Sequence, residues 1–157
     1  KYLIGIKIVR GAYHDKEIQR AIIKNYKCPV HTEKLKTDSD YNKAISICIN
    51  NINQISLCAG THNEKSSELL IDLLEKNKIS IEDKRVYFSQ LLGMSDNISY
   101  NAASLGYNVV KYVPYGPVKD VIPYLIRRAD ENTSIAGQMS RELQYIIQEK
   151  NRRKKEN

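Results

Sequence analysis

The chain has 157 residues, 41% of them hydrophobic and 27% charged, and 25 Lys and Arg against 18 Asp and Glu give a formal net charge of +7. This length suits one domain with a sizeable core, and no apolar run approaches the roughly 18 residues a membrane span requires. Cys28, Cys48 and Cys58 form no CxxC pair and His14, His31 and His62 lack metal-ligand spacing, so neither a disulfide framework nor a zinc site is expected.

Much of the basic excess sits in the closing residues Lys150, Arg152, Arg153, Lys154 and Lys155. A terminal basic run reads first as a solvated helix end, where Lys and Arg also suit the helix dipole. A module binding nucleic acid or an anionic membrane surface is the competing class, and it predicts steeply salt-sensitive affinity. A non-enzymatic structural fragment is a third.

The chain opens without methionine on the alternating apolar run Tyr2 to Val9, read as a strand, and a longer protein upstream is expected. Asp15 is placed to cap a helix reaching about Tyr26, with Ile18, Ile22 and Ile23 as its buried stripe. Cys28 to Thr37 is a connection broken by Pro29, and a second helix is expected from about Asp38 to Asn51, with Tyr41, Ile45, Cys48 and Ile49 on one face. Ile55 to Ala59 reads as a buried strand running into Gly60-Thr61-His62-Asn63. A helix over about Glu64 to Asn77 is built on Leu69, Leu70, Leu73 and Leu74. Arg85 to Leu91 is a third strand, entering Leu92-Gly93-Met94, and a helix near Ile98 to Leu105 stops at the capping glycine Gly106.

Val109, Val110, Tyr112 and Val113 predict a fourth strand ending at Pro114, with Gly116 and Pro117 as a turn. Asp120 as N-cap would place Pro123 in the first helical turn, and Ile122, Leu125, Ile126 and Ala129 form an apolar face. The opposite face carries Tyr124, Arg127, Arg128 and Glu131; periodicity alone reads it as a solvated stripe, whereas two adjacent guanidiniums also suit a carboxylate. An amphipathic helix over about Met139 to Arg152 closes the chain. Strands alternating with helices, without hairpin signals, predict a parallel sheet of about four βα units, half of a (β/α)₈ barrel. A doubly wound sheet fits the same alternation, but no G-x-G-x-x-G follows any strand.

The run Tyr112-Val113-Pro114-Tyr115-Gly116-Pro117 and the positions Tyr124, Arg127, Arg128, Glu131 and Asn132 resemble the Y-x-x-R-R-x-x-E-N signature of the proline dehydrogenase family. Further motifs follow in the same order: Lys7-Ile8-Val9-Arg10-Gly11-Ala12-Tyr13, Thr32 and Lys34, Gly60-Thr61-His62-Asn63, and Gln90-Leu91-Leu92-Gly93-Met94. The resemblance implies that residues 1–150 are the C-terminal half of an FAD-binding (β/α)₈ barrel, its strands 5–8 with their helices, and that 151–157 are a basic tail.

It also implies roles. Lys7 would lie beside the flavin ring, where a cation favours the negative charge that develops on hydride acceptance. Arg10, Gly11, Ala12, Lys34, Thr61 and His62 would contact the cofactor, Lys34 at its pyrophosphate. Arg127 and Arg128 would hold the L-proline carboxylate, Tyr13, Tyr112 and Tyr124 would wall the pocket, and Glu131 would anchor the helix. The implied reaction is oxidation of L-proline to Δ1-pyrroline-5-carboxylate, with electrons passed to a membrane quinone and no nucleic-acid partner. The implied setting is the bacterial cytoplasm or the cytoplasmic face of its membrane, or alternatively the mitochondrial matrix and inner membrane. A half barrel would leave strand edges open, so the missing N-terminal half is expected as a partner.

Overall fold

The computed structural model describes residues 2–10, 13–133 and 136–156, with side chains described for 2–10, 13–128 and 143–155. Contacts divide the chain into two compact units, Lys1–Tyr112 and Val113–Asn157, and each is described by itself.

The first unit alternates β1 (Ile4–Ile8), α1 (His14–Lys24), α2 (Lys34–Asn50), β2 (Ile55–Gly60), α3 (Glu64–Lys76), β3 (Val86–Leu91), α4 (Asp96–Ser104) and β4 (Val109–Tyr112). Among the described residues the four strands form one sheet in the order β1-β2-β3-β4, every pair parallel. Sequential parallel order, with a helix crossing between neighbours, is the arrangement of a (β/α)₈ barrel segment rather than of a doubly wound sheet, whose strand order reverses.

Side chains alternate across a strand, so each strand offers one face to the helices. Ile6 and Ile8, Leu57 and Ala59, Val86 and Phe88, and Val109 share that face and pack with Tyr41, Ile45, Cys48 and Ile49 of α2, Leu70 and Leu74 of α3, and Ala102 of α4. Tyr107, just beyond α4, meets Phe88 edge to face at 5.5 Å between ring centres. The local signals that start and stop the helices are visible. The Asn63 side chain accepts the Ser66 N–H at 3.1 Å to cap α3. Past α4, Gly106 N–H bonds to the Ala103 carbonyl and Tyr107 N–H to that of Ala102, with Gly106 at φ +91. That paired closure is a Schellman motif.

Several sequence expectations require correction: Tyr13, not Asp15, is the N-cap of α1. α2 begins at Lys34 rather than near Asp38, because the Asp38 carboxylate is held by Arg10 and not by its own backbone. On α1, Ala21 is buried while Ile22 and Ile23 are exposed, at 73% and 82%. The sheet edge beside β1 offers no further element to receive them among the described residues.

The second unit holds α5 (Val118–Thr133) and α6 (Ala136–Glu156). Pro117, not Asp120, opens α5: its carbonyl accepts the N–H groups of Asp120 and Val121, which places Pro123 inside the helix. Ile122, Leu125 and Ile126, the expected apolar face, stay at least 39% exposed, since two helices offer little surface for burial. In α6, Glu149 pairs with Arg152 and Arg153, both at 2.8 Å, so part of the basic tail is neutralised internally.

Candidate active site

The distinctive loops all lie at the carboxyl ends of the parallel strands, where α/β folds build their sites. Strand alternation divides the residues there into two sets. Lys7 and Tyr112 stand on the face opposite the helix core, and the Lys7 ammonium lies 4.9 Å from the centre of the Tyr112 ring. Gly60 belongs to the same region. A Cβ built on it would come 2.8 Å from Val9 Cγ1 and 3.0 Å from the Ile8 carbonyl oxygen, with Lys7 Cε at 3.5 Å, so glycine lets β1 and the Lys7 stem close over β2.

Arg10 leaves β1 on the helix-facing side and binds four elements together. Its Nε pairs with Asp38 Oδ1 at 2.8 Å, and its two terminal nitrogens donate to Thr61 Oγ1 and Ser66 Oγ. The guanidinium also lies 4.0 Å from the Tyr41 ring centre. Ser66 Oγ in turn donates to Asn42 Oδ1 at 2.6 Å. Burial pulls the Arg10 guanidinium below its usual pKa, opposed by the Asp38 carboxylate. Burial likewise pushes the Tyr41 phenol up to about 12, against the pull of Arg10.

The Thr61-His62 loop is fixed from the neighbouring strand. Gln90, fully buried, donates from Nε2 to the Thr61 carbonyl at 3.2 Å, and its Oε1 accepts from Ser99 Oγ at 2.9 Å. His62 Nδ1 meets Ser95 Oγ at 3.0 Å. Lys111 Nζ donates to the Met94 carbonyl at 2.9 Å and to Asp96 Oδ1 at 2.7 Å, tying β4 to the start of α4. Burial first, and the Lys111 charge second, hold the His62 imidazole below its usual pKa. Both effects disfavour the charged form of the ring.

Other expected site residues lie apart from these. Tyr13 stands at the N-cap of α1 in the left-handed region, φ 60, and is exposed. Lys34 opens α2 and is exposed. On α5 the Arg128 guanidinium lies 5.3 Å from the centre of the Tyr124 ring, one turn away, while Arg127 is exposed. Gly11 and Ala12, and the Glu131 side chain, lie outside the described residues. No group of three or more His, Cys, Asp or Glu among the described residues is placed to hold a metal ion. Asp38, Tyr41, Ser66, Ser95, Ser99 and Lys111 carry none of the expected roles, yet they hold the loops in place. Gln90 had a sequence signal through its place in Gln90-Leu91-Leu92-Gly93-Met94, and Tyr41 one through its place on the apolar face of the second helix.

The fold and loop placement define a chain of the (β/α)₈ barrel class, present as a four-strand segment. The family model described as Proline dehydrogenase matches residues 1–141, and the chain belongs to that family. It is 36% identical to a mitochondrial proline dehydrogenase 1 of Drosophila melanogaster, over 97% of this chain and 24% of the relative. Against the Dictyostelium discoideum protein of the same name it is 39% identical, over 97% of this chain and 27% of the relative. Among solved structures it is similar to proline utilization A from Bdellovibrio bacteriovorus inactivated by N-propargylglycine. The TM-score there is 0.77 at 29% identity, covering 82% of this chain and 13% of that one. The chain thus spans about a quarter of the length of the two mitochondrial relatives.

Proposed function

We propose that this chain supplies the carboxyl-terminal half of the barrel, residues 1–150 with a basic tail at 151–157, of an FAD-dependent proline dehydrogenase. The whole enzyme would convert L-proline to Δ1-pyrroline-5-carboxylate and pass the electrons to a membrane quinone. The observation that carries the reading is the meeting of Lys7 and Tyr112 over the carboxyl ends of parallel strands.

The donor set fits a flavin dinucleotide. An ammonium beside an aromatic face suits a flat, electron-poor ring system, and Lys34 on the first turn of α2 suits a pyrophosphate, which favours helix N-termini. When bound, FAD supplies the hydride acceptor. In this reading Lys7 would hold its positive charge beside the flavin ring, while Thr61 and His62 would contact the cofactor. Arg10 keeps Thr61 in place through the bond to its hydroxyl.

Arg127 and Arg128 would take the proline carboxylate in bidentate fashion, with Tyr13, Tyr112 and Tyr124 around the pyrrolidine ring and Glu131 steadying the helix. Tyr124 and Arg128 are already in register on α5, which supports their acting together. The remaining strands of the barrel are the expected partner, because β1 and β4 both present open edges among the described residues. Of the two settings expected from sequence, the names of the relatives favour the mitochondrial one.

The test is the visible spectrum of the purified chain with added FAD, before and after anaerobic L-proline. A bound-flavin spectrum that bleaches with proline supports the full reading. Bound flavin without bleaching supports the cofactor contacts and assigns the remaining requirement to the rest of the barrel. No bound flavin overturns the view that these residues carry the cofactor contacts by themselves.

A further inference from the structure

β4 ends on two consecutive residues that face opposite ways. Tyr112 meets Lys7 on the face away from the helix core, whereas Lys111 stands beside buried Gln90 on the helix side. The turn that follows β3 lies within reach of both. Leu92 N–H donates to the Tyr112 carbonyl at 2.9 Å, carrying the β3–β4 pairing one residue past Leu91. Met94 N–H donates to the Leu91 carbonyl at 3.1 Å and closes a β-turn with Gly93, φ +78, in its third place, the type II pattern. Ser95 follows at φ 50 as the N-cap of α4. Met94 is thus bracketed by two residues in the left-handed region, one of them not glycine. Such a backbone persists only where its surroundings determine it.

Lys111 supplies a contact of that kind. Its Nζ donates to the Met94 carbonyl at 2.9 Å and to Asp96 Oδ1 at 2.7 Å, and its side chain is only 22% exposed. Both bonds run one way, because an ammonium can only donate and a carbonyl or ionised carboxylate can only accept. A cation at the start of α4 opposes the helix dipole, so stabilisation of the helix does not explain its placement. Asp96, in the first turn, offsets that charge.

We propose that Lys111 is a positioning residue for residues 92–96: by gripping the Met94 carbonyl and the Asp96 carboxylate together, its ammonium sets where Met94 and the exposed Leu92 stand at the carboxyl ends of β3 and β4. The functional consequence rests on the proposed cofactor role of the loops at these strand ends; the grip itself does not.

The experiment reads the segment directly, without flavin. The chain contains two methionines, Met94 and Met139, so ¹³C-methyl methionine labelling gives two signals, assigned with Met139→Leu. Lys111→Leu, which removes the ammonium, should displace the Met94 methyl signal or split it into several, while the Met139 signal stays. Lys111→Arg, which keeps a cationic donor, should hold Met94 near its wild-type position. In ¹⁵N-lysine spectra of wild type at neutral pH, the Lys111 ammonium should exchange more slowly than those of exposed lysines, with Lys111→Arg as the assignment. An unmoved Met94 signal in Lys111→Leu, a displacement of equal size in Lys111→Arg, or a freely exchanging Lys111 ammonium in folded wild type overturns the proposal. Should Lys111→Leu fail to fold, Asp96→Asn takes its place. Altered at a carboxylate 54% exposed, it removes one of the two acceptors and should displace Met94 in part; no displacement overturns the proposal. Because no flavin is added, failure here leaves the proline dehydrogenase reading standing, and a failed flavin titration leaves this result standing.

Discussion

The Lys7 ammonium lies 4.9 Å from the centre of the Tyr112 ring, although β2 and β3 stand between their strands. Neighbouring strands are about 4.8 Å apart, so a flat sheet would separate these backbones by roughly 14 Å. The two long side chains lean toward each other across the intervening strands, and the contact brings a cation and an aromatic face together. If Lys7 stabilises charge developing in hydride transfer, Lys7→Met in the complete, active protein should slow anaerobic flavin reduction by about 10- to 100-fold. Lys7→Arg, which keeps the charge, should stay near wild type. Stopped-flow reduction with L-proline measures both, and full speed in Lys7→Met would refute the role.

Arg10 is expected to matter first for folding. Removing it leaves the Asp38 carboxylate, mostly enclosed, without its cation, and frees the Thr61 and Ser66 hydroxyls together. Arg10→Ala should therefore cost about 3 kcal/mol in urea unfolding, the scale for breaking one side of an enclosed ion pair. Arg10→Lys should recover only part, because one ammonium cannot reproduce the planar fork that reaches Asp38, Thr61 and Ser66 from three nitrogens. Equal stability of wild type and Arg10→Ala would show that the network is a bystander.

Tyr41 supplies a signature in alkali. Its phenol is raised to about 12, mainly by burial, while an unfolded tyrosine ionises near 10. The folded pKa is the higher one, so the stability linked to the neutral phenol is complete below about pH 10 and is lost as pH rises toward 12. Among the 11 tyrosines, the Tyr41 signal should be the last to ionise or should ionise together with unfolding. Absorbance at the phenolate band, compared between wild type and Tyr41→Phe, makes the assignment. A Tyr41 transition near 10 in folded protein would contradict the buried placement.

The sequence was most readable where one local signal decides the outcome. The four strands were legible as apolar runs, though not their order, and Gly106 announced the end of α4 because only a residue free of Cβ adopts that φ cheaply. It was least readable where a distant residue decides. Asp38 has the chemistry of a helix cap, but Arg10, 28 positions earlier, claims its carboxylate, and α2 starts upstream. Ile22 and Ile23 have the spacing of a buried stripe, yet burial needs an opposing surface that periodicity does not supply. In the site, motif residues such as Thr61 and His62 stood out by their neighbours. Ser95 and Ser99, which fix them, are ordinary serines in sequence and acquire meaning only when β3 and α4 bring them to the loop.

Two glycines separate backbone strain from steric closure. At Gly106 a Cβ would meet the end of the Ile81 side chain, Cδ1 at 3.1 Å, which can move, so Gly106→Ala should cost mostly the left-handed backbone, about 1 kcal/mol. At Gly60 the collision is with Val9 Cγ1 at 2.8 Å and the Ile8 carbonyl oxygen at 3.0 Å, and a backbone oxygen in a strand pair cannot turn aside. Gly60→Ala should therefore cost more, about 2–3 kcal/mol, by wedging β1 from β2. The wedge also lies against the Lys7 stem, so if FAD binds as proposed, its affinity should fall in Gly60→Ala protein that remains folded and stay unchanged in Gly106→Ala. Unfolding curves and flavin titrations on the two variants measure both effects. If Gly106→Ala weakened flavin binding as much as Gly60→Ala, the loss would reflect stability rather than closure of β1 over β2.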